Sequence, residues 1–109
     1  MKWESDNDWS KGKATKRIPT HPGAILREDV LPAMDISVSE FARRIGISRQ
    51  RVHKILAETD PITPNTALRI GKFVGNGPEI WLSMQQSHSL WQTQQELEKE
   101  ISRIETYGV

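Results

Sequence analysis

Between Ser37 and Leu56 the chain reads SVSEFARRIGISRQRVHKIL, and its apolar residues fall into two short helical stripes. Phe41, Ala42 and Ile45 share one face of a first helix; Val52, Ile55 and Leu56 share one face of a second. Ser37 and Glu40 have the spacing of a capping box, in which the serine accepts from an early helix amide and the glutamate reaches back to the Ser37 N–H. Gly46 stands where a left-handed residue ends a helix, Ile47 fills the turn, and Ser48 caps again before Arg49. With Val52 at the buried centre of the second helix, Gln50 and Lys54 fall near the opposite side, and Arg51 and His53 on its flanks. Arg49 lies closer to the buried edge, at the helix start.

The flanking pattern is also helical. Ile18 to Gly23 is an extended lead-in, with Pro22 at a first helical position, and Ala24 to Val30 carries Ile25, Leu26 and Val30 inward. Pro32 should stop that helix, leaving Met34 and Ile36 to plug the core. After the loop Ala57–Ile62, Thr63-Pro64 supplies an N-cap and a proline at N1 for a helix to about Val74. Its apolar positions are Ala67, Leu68, Ile70, Gly71 and Val74, with Phe73 alongside, and Gly75-Asn76-Gly77 ends it. Pro78 and Glu79 open the next helix, which carries Ile80, Trp81, Leu82 and Met84. Beyond Gln85 only Leu90, Leu97, Ile101 and Ile104 remain as a narrow heptad-like stripe, with Gln94 in its missing position. Such a stripe needs something to pack on, either its own domain or a second copy of the chain, and self-association is the preferred reading. Residues 1–17 lack any period and read as a flexible arm. Trp3 and Trp9 within it either pack loosely on the domain or order on a partner, and Lys11, Lys13, Lys16 and Arg17 could follow a DNA backbone.

Charge sharpens the picture. Net charge is only +1, yet Phe41 to Ala57 holds five basic residues, Arg43, Arg44, Arg49, Arg51 and Lys54, and no acid. Gln92 to Tyr107 reverses this, with four glutamates against Lys99 and Arg103. An apolar inner face with a basic, amide-bearing outer face is the chemistry of a helix-turn-helix DNA reader, although an ordinary hairpin with a solvated charged face shares much of it. With 36% hydrophobic residues in 109, one domain and one small core are expected. There are no cysteines for disulfides or thiolate metal sites. Neither a signal peptide nor the run of ~20 apolar residues needed for a membrane span is present, so no membrane partner and a cytoplasmic location are expected. The histidines, His21, His53 and His88, lie far apart in no metal-binding spacing, and no phosphate loop or nucleophile elbow occurs. No catalytic residue, metal or cofactor is therefore expected.

Four stretches together are specific: His21-Pro22-Gly23-Ala24-Ile25-Leu26, Phe41-Ala42 with Gly46, Thr63-Pro64-Asn65-Thr66-Ala67-Leu68-Arg69-Ile70, and Pro78-Glu79-Ile80-Trp81-Leu82. Over about Ile18 to Trp91 the chain resembles the HigA-type antitoxins, also known as the VapI or addiction-module antidote group, within the phage-repressor-like (XRE) helix-turn-helix class. The usual last motif has Phe before Trp, where this chain has Ile80. The resemblance implies an all-α, five-helix phage-repressor-like domain over 18–91, followed by a helical C-terminal extension, 92–109, that serves dimerisation. It implies an antitoxin of a type II HigBA-like module that represses its own operon as a homodimer and neutralises a small basic toxin, a RelE-like mRNA interferase. A stand-alone regulator with no toxin is the alternative. In such a reader the start of the second helix meets base edges in the major groove of double-stranded DNA with a palindromic operator. Arg49, Gln50, Arg51 and Lys54 are the expected base contacts, and Arg43, Arg44 and Ser48 the expected phosphate contacts. Leu90, Leu97, Ile101 and Ile104 are the expected dimer seam.

Overall fold

Four side chains open four of the helices by accepting a backbone N–H: His21, Ser37, Ser48 and Thr63. The computed structural model describes residues 18–107, and these form six helices with no strand among them. Helix α1 (residues 22–34) joins an α-turn, Pro22–Ile25, to a π-helical turn, Leu26–Val30, and a last α-turn, Leu31–Met34. The reader pair follows as α2 (Val38–Ile45) and α3 (Arg49–Leu56), then α4 (Pro64–Val74), α5 (Glu79–Glu96) and the short α6 (Glu98–Ser102). The sixth helix is the extension beyond the expected five. The readings made for Trp3, Trp9 and the basic residues of the arm lie outside the described residues.

Pro32 does not end α1 as expected. A helical proline lacks an N–H and its ring crowds the carbonyl one turn back. The π-turn upstream lets the Leu31 N–H reach back to the Leu26 carbonyl, so the backbone is already widened where the ring enters. The helix stops instead at Asp35, left-handed at φ 55°, whose N–H donates to the Leu31 and Pro32 carbonyls.

The core gathers Leu26, Phe41, Val52, Ile55, Ile70 and Trp81, each almost fully buried. Phe41 meets Phe73 edge-on at 5.6 Å. Helix α2 packs on α3 and α4, α4 packs on α5, and the start of α1 lies against both α3 and α5. Two apolar residues expected inside are outside: Leu68 is 60% exposed and Ile80 49%. On α4 the stripe Ala67, Ile70, Gly71 already fills the inner face, so Leu68 is turned away; beside Ile80, Trp81 alone takes the fully buried place. Gln85, where the apolar pattern ends, is buried, and its Oε1 accepts from the Ile62 N–H at 2.8 Å. That bond fixes α5 against the loop after the reader.

The tail does not fold back. Residues 92–107 are all exposed, and Leu90, Leu97, Ile101 and Ile104 stand 40–68% exposed. The helix breaks at Leu97 (φ −106°, ψ 13°) and resumes as α6.

His21 and His88, distant in sequence, meet edge-on with ring centroids 5.0 Å apart. His21 is buried, and its Nδ1 accepts from the Gly23 N–H at 2.9 Å, which requires a ring unprotonated at that nitrogen. Burial, then the neighbouring His88, hold the His21 pKa below the ordinary 6.5, with Arg27 adding to this; Glu58 and a hydrogen bond with the Asp60 backbone oppose it. The unfolded chain therefore takes up this proton before the folded one. Stability from the neutral ring is complete above about pH 6.5 and declines as pH falls below it. Urea melts of wild type and His21→Asn at about pH 7.5 and about pH 5.5 should show the acid loss blunted in the variant. An equal loss in both would place its origin elsewhere.

Candidate nucleic-acid interface

The reader is held by its caps and by two arginines from outside it. Ser37 Oγ accepts from the Glu40 N–H at 3.1 Å, and Ser48 Oγ from the Arg51 N–H at 3.0 Å. Gly46 sits left-handed at φ 78°, and its N–H donates to the Ala42 carbonyl at 2.9 Å. Arg69, on α4, donates from Nη1 to the carbonyls of Ile45 and Gly46 at 2.9 and 3.3 Å. Arg27, on α1, donates from Nη1 to the Leu56 carbonyl at 2.6 Å and pairs with Glu58. Each guanidinium therefore neutralises the negative, carbonyl end of one reader helix. Neither arginine was singled out as functional from the sequence, because the contacts join distant segments.

Along α3, Arg49, Gln50, His53 and Lys54 face outward and are exposed, with Val52, Ile55 and Leu56 buried beneath. Arg49 Nη1 also donates to Ser39 Oγ on α2 at 3.2 Å, bracing the two helices. Arg51 is placed differently from the other three expected base contacts. It is half-buried, with Nε 3.3 Å from Asp60 Oδ2 as an ion pair without hydrogen-bond alignment, and Nη2 donates to the Pro61 carbonyl. Its charge is directed to the loop after α3.

Arg43, Arg44 and Ser48 are exposed beside this row. Glu40 does not complete the capping box: its Oε2 accepts instead from Arg43 Nη2 at 2.6 Å and Arg44 Nε at 2.8 Å. Hydrogen bonds from Arg43 first and Arg44 second pull the Glu40 carboxyl down to about 2, so it is ionised across the neutral range. Arg44 further lies over the Phe73 ring at 5.7 Å. The basic stretch that begins at Phe41 thus has its acid one residue upstream. No group of three or more side chains able to hold a metal ion occurs among the described residues, and no helix among them is long and apolar enough to cross a membrane.

A helix-turn-helix family model matches residues 26–81, just over half of the chain. Virulence-associated protein I of Dichelobacter nodosus is 37% identical over 76 residues, covering 70% of each chain. Antitoxin HigA-1 of Vibrio cholerae serotype O1 is 30% identical over 92 residues, 84% of this chain and 87% of its own. Among solved structures, the Pseudomonas aeruginosa antitoxin HigA with the higBA promoter superposes with a TM-score of 0.78 at 32% identity, covering 83% of this chain and 99% of its own. The chain belongs to the helix-turn-helix family, in its HigA/VapI antitoxin group. As a HigA-type protein it departs from the expected site in two places, Glu40 holding Arg43 and Arg44, and Asp60 holding Arg51.

Proposed function

We propose that this HigA-type protein is the DNA-binding antitoxin of a type II toxin–antitoxin module, reading a palindromic operator as a homodimer and repressing its own operon. The observation that carries this is the outward row Arg49, Gln50, His53 and Lys54 on a capped α3, on a fold whose Pseudomonas relative is solved with its promoter. Gln50 offers paired donor and acceptor to adenine, and Arg49 or Lys54 can reach guanine N7 and O6. Arg43, Arg44 and Ser48 take backbone phosphates and fix the register. Arg51, tied to Asp60, would have to leave that loop to join the base contacts.

Gln50→Ala should cost roughly 1–3 kcal/mol on the operator with little change on random duplex. Arg43→Ala should weaken all duplexes alike and reduce the salt slope by about 1. Mobility shifts on the gene's own upstream DNA, repeated over a salt series, separate the two. Equal losses for both variants on both duplexes would overturn the division of roles.

The exposed stripe Leu90, Leu97, Ile101 and Ile104 supports the homodimer, since a second copy would cover it. Two such readers need half-sites about one helical turn apart, or a multiple of it. Sedimentation equilibrium giving a monomer at micromolar concentration counts against this arrangement. The toxin, a small basic mRNA interferase of the RelE-like class, is the second partner. Co-purification with the product of an adjacent short reading frame tests it, and its failure would leave a stand-alone regulator.

A further inference from the structure

We infer that Glu40 is an internal rival of the DNA backbone, competing with phosphate for Arg43 and Arg44 and so setting how strongly the reader holds any duplex. The inference rests on the reading that these two arginines meet phosphates.

One carboxylate oxygen accepts from both guanidiniums, at 2.6 and 2.8 Å, across i,i+3 and i,i+4 spacings on α2. Both arginines are more than half exposed, with side-chain exposures of 69% and 52%, so a phosphate can approach either from solvent. Ion pairs this exposed are individually weak and screened, and another anion readily displaces them. DNA offers a comparable oxygen anion together with the release of condensed counterions, which favours the exchange. Once the arginines have turned to phosphate, the Glu40 carboxylate is left ionised beside a polyanion. It therefore opposes binding twice, by holding the arginines beforehand and by repelling the backbone afterwards. Glu40 is not needed for the cap itself, because Ser37 Oγ accepts from the Glu40 backbone N–H and the side chain takes no part in that bond.

The test is E40Q, which keeps the shape and removes the charge. Its affinity should rise on operator and random duplex by the same factor, roughly three- to tenfold, the scale of two exposed pairs. The slope of log affinity against log salt should steepen by up to about 0.9 for each arginine released. A merely structural role for Glu40 would not move that slope. Unchanged or weaker binding by E40Q, or a gain confined to the operator, overturns the inference. The double variant R43Q/R44Q examines the underlying reading separately. If it binds random duplex as wild type does, the arginines do not meet phosphate and both ideas fall. If it binds more weakly while E40Q equals wild type, the phosphate reading stands and the rivalry is refuted. In the R43Q/R44Q background, E40Q should lose most of its gain.

Discussion

Gly23→Ala is expected to destabilise the domain by roughly 3 kcal/mol or more, well beyond what an ordinary glycine-to-alanine change costs in a helix. Gly23 is buried in the first turn of α1, and its backbone conformation is not the reason. A Cβ built there collides with the carbonyl oxygen of Ile55 and lies 2.9 Å from its carbonyl carbon, both on the backbone of α3. Backbone cannot swing aside as a side-chain tip can, so α1 must lift from α3 or α3 must bend. His21 Nδ1 is 3.1 Å from the same point, so the capping imidazole is disturbed as well. Thermal melts should show a fall of more than about 10 °C. A variant melting within a degree or two of wild type would mean that the two helices have slack the packing does not suggest.

Trp81→Ala is the second large effect, expected at about 3–5 kcal/mol. The indole is 1% exposed, and its Nε1 donates to Asn76 Oδ1 at 2.9 Å, tying α5 to the turn after α4. Truncation removes the largest core side chain and leaves the Asn76 amide without that donor. Trp81→Phe keeps part of the volume and should fall between the two in urea midpoint. A Phe variant as unstable as the Ala variant would assign the loss to the hydrogen bond rather than to packing.

The caps were legible because they are local. Ser37, Ser48, Thr63 and Gly46 act on partners three or four residues away, and a sequence displays such relations directly. Glu40 was misread for the same reason: a carboxylate at that position can turn back to the cap or forward to i+3 and i+4. Two charged guanidiniums outbid one backbone amide. Pro32 was read by its local rule, and the π-turn that accommodates it has no comparably strong signature. The buried Gln85, the His21–His88 contact, and the grip of Arg27 and Arg69 on the reader all join segments far apart in the chain. No periodicity encodes them. The outward row on α3 was readable, while the capture of Arg51 by Asp60 depends on how the following loop closes.

Helix α5 is one rod with two duties. Its first half, through Trp81 and Gln85, is bound into the core, while every residue from 92 to 107 stays in solvent. Substitutions in that outer half carry almost no folding cost within a single chain. What the protein associates with can therefore drift over generations without endangering whether it folds, and relatives with similar reader domains are free to diverge in their company.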